Sequence, residues 1–219
     1  NPNGALARRR PEEIPIDGAR VAALGEIPTL LRRARRPQAD LLLEALITPF
    51  ERELTPRPTD YAEAIIRTLR NERRGAGLRA VFSLDWILPR TLAGLPHELE
   101  IGCATLERPW LDTVQRGKEG PSPWLGGFDA DDYESLPALV QAAGCALWIA
   151  HLDDVDEAEV FDARALGLIV GIWGADQDRA LRRALAVRPD AILTARPDLL
   201  RQIYVEAGYP PPPRATVRP

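Results

Sequence analysis

The feature that most constrains this chain is a rhythm in its last third. Short apolar runs alternate with amphipathic segments, and the links between them are only a few residues long. CALWIA (145–150), LIVGIW (168–173) and AILT (191–194) have the length and continuous apolar character of strands buried on both faces. Around them, 136–143, 156–166, 176–187 and 197–207 read as helices. Gly167 and Gly208 stop two of these, and Pro197 stands in the first turn of the last. Strands that alternate with helices over short links form a parallel sheet with helices outside, because a parallel neighbour is reached only by a crossover.

The same rhythm runs upstream. Thr59 caps a helix over 59–74, with Asp60 and Glu63 in its first turn, arginines in its last and Gly75 and Gly77 beyond. RAVFSLD (79–85) and ELEIGCATL (98–106) are the next strands, with a short helix over 88–93 between them. A further helix is expected over 29–36. From 107 to 132 the pattern breaks, and Trp110, Trp124 and Gly/Pro pairs predict a long surface loop of the kind that carries function. This gives about six strand–helix units. The expected architecture is a (β/α)8 barrel of the TIM type, incomplete at its N-terminus, in preference to an open doubly wound sheet. Residues 1–209 are read as one domain and 210–219 as a Pro-rich extended tail.

One apolar run contains a charge. In ADLLLEALITP (39–49), Glu44 sits among leucines. As a strand this run needs a cation, hydrogen bonds or an open strand end for the carboxylate. As a helix it would put Glu44 on the wet side, and the residues alone leave the choice open. In barrels of this type chemistry sits at the C-terminal strand ends. Those ends carry Glu44, Ser83 and Asp85, Thr105 and Glu107, His151, Trp173 and Asp176, and Thr194 and Arg196. Each has a bland reading: helix caps for Asp85 and Asp176, a solvated loop histidine for His151, a surface charge for Glu107 and core packing for Trp173. The chain has no Gly-rich phosphate loop and none of the common hydrolase or zinc motifs.

Composition excludes some partners. A net charge of -4 gives no sign of a nucleic-acid surface or a basic membrane patch, and no apolar run is long enough to cross a bilayer. Cys103 and Cys145 each lie in an apolar segment; buried free thiols are the first expectation and one disulfide the alternative. The sequence contains no methionine, even at position 1, and is read as lacking its natural N-terminal part. Compartment is not legible.

IPTL (27–30), LLLEAL (41–46) with ELTP (53–56), FSLDW (82–86), GLIVGIW (167–173) and AILTARPDLL (191–200) follow one another in order. Together these stretches resemble the glycerophosphodiester phosphodiesterase family. GPSPWL (120–125) is similar to a loop of a bacterial branch. A phospholipase of the phosphoinositide type would share the barrel but not IPTL or RPDLL. The resemblance implies a (β/α)8 barrel, and with it the strand reading of Glu44. It also implies cleavage of a small-molecule glycerophosphodiester to glycerol 3-phosphate and an alcohol. A divalent cation (Mg or Ca) held by carboxylates would assist, with two histidines as acid and base. By motif match Glu44 is a metal ligand, and Ser83 and Trp173 are expected at the substrate.

Departures from the family pattern are as informative. The family's His-Arg-Gly and Glu-x-Asp strands and its second histidine would lie upstream of residue 1, so the 219-residue chain alone is not expected to hydrolyse glycerophosphocholine. Leu46 replaces the lysine of Glu-x-Lys. Trp-Thr-Val-Asn is Trp173-Gly174-Ala175-Asp176, Thr-Asp-Arg-Pro is Thr194-Ala195-Arg196-Pro197, and no Ser-Pro follows Trp148. A catalytically inactive barrel that binds a phosphorylated ligand or a protein partner is therefore the second functional expectation.

Overall fold

The computed structural model describes residues 23–27, 40–70 and 79–210. The helix expected over 29–36, most of the stretch before it and the tail beyond 210 lie outside these residues. In chain order the described elements are β1 (Leu41–Glu44), α1 (Pro58–Arg70), β2 (Arg79–Ser83), α2 (Ile87–Ala93), β3 (Glu100–Thr105) and a small hairpin, β4 (Glu107–Arg108) and β5 (Leu111–Asp112). They continue with α3 (Leu136–Ala142), β6 (Leu147–His151), α4 (Glu157–Ala165), β7 (Ile169–Trp173), α5 (Asp178–Ala186), β8 (Ala191–Ile192) and α6 (Pro197–Glu206).

Six strands form one parallel sheet in the order β1-β2-β3-β6-β7-β8, curled into a half-barrel. Among the described residues β1 and β8 are its two edges, and closure into an eight-stranded barrel is not seen. All six expected strands are present and parallel. They are shorter than the apolar runs: 39–46 narrows to Leu41–Glu44 and 191–194 to Ala191–Ile192. Two of the helices, α3 and α4, start where the sequence offers a side-chain acceptor. Ser135 accepts from the Ala138 amide, and Asp156 with Glu159 forms a capping box at α4.

Alternation along each strand divides the core in two. On the convex face Val81, Ile101, Cys103, Trp148, Val170 and Ile172 pack beneath the helices. On the concave face Ala80, Phe82, Ala104, Leu147 and Ile149 meet Leu42, Trp173 and Leu193. The concave face is tight: a Cβ on Gly102 would lie 2.7 Å from the Phe82 Cβ.

Two expectations are corrected. Cys103 and Cys145 are not free thiols but form a disulfide, their Cα atoms 5.9 Å apart within the helix-side core. Nor is 107–132 a mere surface loop. Its hairpin, its buried Trp124, Leu125 and Ala130, and the fully buried Thr113 anchor it to the sheet. Thr113 Oγ1 accepts from the Leu106 amide at 3.0 Å, and Ser122 Oγ donates to the Thr113 carbonyl at 2.7 Å. A stretch rich in Gly and Pro can thus be rigid when its polar groups are satisfied internally.

Candidate active site

Period-two alternation puts Glu44, His151 and Trp173 on the concave side of the sheet, at the C-terminal ends of β1, β6 and β7. Glu44 pairs in register with the concave Phe82, and its own residue is largely exposed. Desolvation by the strand end nevertheless pushes its carboxyl above the ordinary glutamate range. Among the described residues no cation and no hydrogen-bond donor holds this carboxylate. Arg196, placed by the sequence at another strand end, is engaged by both oxygens of Asp198 at 3.0 and 2.8 Å.

Ser83 is placed differently from its expectation. It lies one residue past the concave Phe82, so it faces the helices and is fully buried. Its hydroxyl donates to the Ala45 carbonyl at 2.7 Å and accepts from the Asp85 amide at 3.2 Å. From there it cannot reach a ligand in the concave mouth. It fixes the backbone immediately after Glu44, with help from the Ala45 amide, which donates to the Phe82 carbonyl at 2.9 Å. Asp85 is also fully buried. One oxygen accepts from the Ile87 amide, a helix-capping contact, and the other is paired with Arg52 at 2.6 Å. Arg52 lies between β1 and α1, so this pair ties the loop after Glu44 to the end of β2.

His151 and Trp173 stand side by side in register, their rings edge to face with centroids 4.7 Å apart. The expectation of a solvated loop histidine fails: His151 is the last residue of β6, and its side chain is only 13% exposed. Its Nδ1 accepts the Asp153 amide at 3.2 Å, which leaves the proton of the neutral ring on Nε2. Gly174 follows Trp173 with φ near +84°. A Cβ there would come within 2.4 Å of the histidine Nε2, so the ring occupies the space a side chain would need.

The remaining strand-end polar groups are mostly structural. Asp176 does not cap α5; it accepts from Thr194 Oγ1 and the Ala195 amide, both at 2.8 Å, and holds the loop after β8. Glu107 is half-buried rather than a free surface charge, and burial raises its carboxyl above the usual range despite Arg116 at 3.7 Å. Beside it Asp154, 1% exposed, accepts from the Glu107 amide and is paired with Arg108.

The implied divalent cation can be tested against these donors. Glu44 suits a hard cation as one oxygen ligand, but such ions take six or more. Among the described residues no group of three His, Cys, Asp or Glu side chains is placed to hold a metal. The described residues therefore do not by themselves make a metal site.

A parallel α/β half-barrel with polar residues gathered at the C-terminal strand ends resembles part of a TIM barrel. No family model and no curated protein matches the sequence. Solved structures do match. A protein of Silicibacter pomeroyi assigned as a glycerophosphoryl diester phosphodiesterase is 25% identical, with a TM-score of 0.70 over 92% of this chain and 62% of its own. An Oleispira antarctica phosphodiesterase, solved with the product sn-glycerol-3-phosphate, is 13% identical, with a TM-score of 0.60 over 85% of this chain and 62% of its own. A glycerophosphodiester phosphodiesterase of Parabacteroides distasonis, 14% identical, has a TM-score of 0.59 over 88% of this chain and 67% of its own. The chain is thus a structural relative of the glycerophosphodiester phosphodiesterases, as its motifs imply, and spans about 62% of the length of the first two.

Among the described residues no helix is long and apolar enough to cross a membrane.

Proposed function

We propose that the protein acts on glycerophosphodiesters, hydrolysing the bond between phosphorus and the alcohol oxygen to release sn-glycerol 3-phosphate and an alcohol. The observation that carries this is an acidic residue, Glu44, that has no counter-charge among the described residues and stands on the concave mouth of a glycerophosphodiester phosphodiesterase-like sheet. Glu44 would supply one oxygen to a divalent cation, whose chemistry when bound is to neutralise and polarise phosphate oxygens. Ser83, through the Ala45 carbonyl, holds that strand end still. Trp173 forms an apolar wall of the mouth.

The test, on the protein as its cell makes it rather than on these 219 residues alone, which are expected to be inactive, is release of sn-glycerol 3-phosphate from glycerophosphocholine with magnesium or calcium, alongside calorimetric titration of each metal. Glu44→Gln is expected to remove turnover and weaken metal binding at least tenfold. Leu46→Lys, which restores the charge seen in the family pattern, is expected to raise turnover or phosphate affinity. Equal metal affinity in wild type and Glu44→Gln would take Glu44 out of the site.

One observation favours a second reading, a non-catalytic barrel that binds a phosphorylated ligand. Leu46 stands where the family has its lysine and is 80% exposed, so no basic side chain extends from this strand end. Binding of sn-glycerol 3-phosphate without any metal-dependent turnover would favour it.

A further inference from the structure

Leu46, two residues beyond β1, stands where the resemblance implies a phosphate-binding lysine, so the proposed ligand still needs a donor. Across the concave face, three strands from Glu44, His151 has features that a packing histidine does not require. Its ring is held from three directions: the Asp153 amide on Nδ1, the Trp173 ring against its face or edge, and the Gly174 backbone beside Nε2. The Asp153 amide donates to Nδ1 and so leaves the ring hydrogen on Nε2; the Asp153 carboxylate, 3.9 Å from the same Nδ1, is itself engaged by Arg183 and Arg108. Among the described residues that Nε2–H has no acceptor, although the side chain is mostly buried. The corner also depends on a glycine at 174. Any side chain at 174 would occupy the place of the imidazole edge, and a residue other than glycine would be strained at that φ.

Geometry supports a shared ligand. Glu44 and His151 are separated by three strand spacings, ~14 Å along the sheet. The sheet curls, so the straight path is shorter, and both side chains lie on the concave side.

We propose that His151 is the mouth's hydrogen-bond donor to the ligand phosphate, its Nε2–H serving in place of the positive charge that Leu46 removes. This rests on the reading that the ligand is a glycerophosphodiester or its phosphate product. The role is binding: the neutral ring donates to a phosphate oxygen, and no proton is transferred.

The protein has two histidines, which makes the test direct. His97 precedes β3, at the opposite end of the sheet from the mouth, and serves as an internal control. Ring nitrogen NMR of the protein, titrated with sn-glycerol 3-phosphate and separately with inorganic phosphate, should show His151 in the Nε2–H tautomer. The His151 signals should shift as ligand is added while those of His97 stay still. Calorimetry should give at least tenfold weaker binding for His151→Phe, which keeps a flat ring without a donor, and partial recovery for His151→Gln, which restores an N–H. Gly174→Ala should weaken binding in the same direction by displacing the ring. Undiminished binding in His151→Phe, with unmoved His151 signals in the wild type, would overturn the inference and leave the glycerophosphodiester reading standing. Failure of the wild type to bind either phosphate compound would defeat that reading and this inference together.

Discussion

Glu44 illustrates a conflict between stability and site geometry at a single residue. Its ionised form is disfavoured by desolvation, and no charged or hydrogen-bonding partner offsets this among the described residues. Its pKa is therefore higher in the folded chain than in the unfolded one. Ionisation then works against folding at pH values above both pKa values. That penalty disappears once both states are protonated, below about pH 4. Glu44→Gln should accordingly raise the thermal midpoint at pH 7, and the gain should shrink as pH falls through the folded pKa. Parallel melts of the two proteins from pH 7 down to pH 4 check this. A variant less stable than wild type at pH 7 would mean that a favourable contact holds the carboxylate. The direction matters because a residue kept at a cost to stability is a mark of function rather than packing.

At the scale of elements, the sequence exposed the order of strands and helices because burial on both faces leaves short, continuous apolar runs. Strand ends were less legible. AILT reads as four strand residues, yet only Ala191–Ile192 pair; Thr194 instead turns out to meet Asp176. Ser83 was misplaced for a simpler reason. Being at a strand end says nothing about which face a residue takes, and Phe82, one residue earlier, holds the concave position. The same parity would have found His151: Leu147, Ile149 and His151 share a face, in register with Ile169, Gly171 and Trp173. The extra residue beyond CALWIA, a polar one, hid that register.

The disulfide was open in the sequence because residue spacing does not reveal proximity. Its loop of 42 residues gives a chain-entropy contribution of about 3–4 kcal/mol. Reduction, or the double substitution Cys103→Ala and Cys145→Ala, should lower the urea midpoint by a corresponding amount. A midpoint unchanged under reducing conditions would show that the bond does not contribute to stability. The crosslink joins β3 to the start of the β6 unit, bracketing the 107–132 loop, so its loss should also loosen that loop to protease.

For the whole molecule, cooperativity should be greatest in the middle of the sheet. β2, β3, β6 and β7 each have a paired neighbour on both sides, whereas β1 and β8 are paired on one side among the described residues. Hydrogen exchange should therefore be slowest in Leu147–His151 and its neighbours, and faster in Leu41–Glu44 and Ala191–Ile192. Uniform protection across all six strands would show that the outer strands are covered as well as the centre.

The two faces of this sheet carry unequal volumes. Beneath the helices stand Val81, Ile101, Trp148, Val170 and Ile172, while much of the opposite face is built from Ala80, Gly102, Ala104, Gly171 and Ala191. A bent ribbon has a shorter inner arc than outer arc, and these residues apportion bulk accordingly. The small inner residues leave room that Phe82, Ile149 and Trp173 fill. Enlarging a small residue on the inner arc would have to widen the bend, and widening it would move the strand ends bearing Glu44 and His151 apart. The spacing across the mouth is in this sense written in alanines and glycines well away from it.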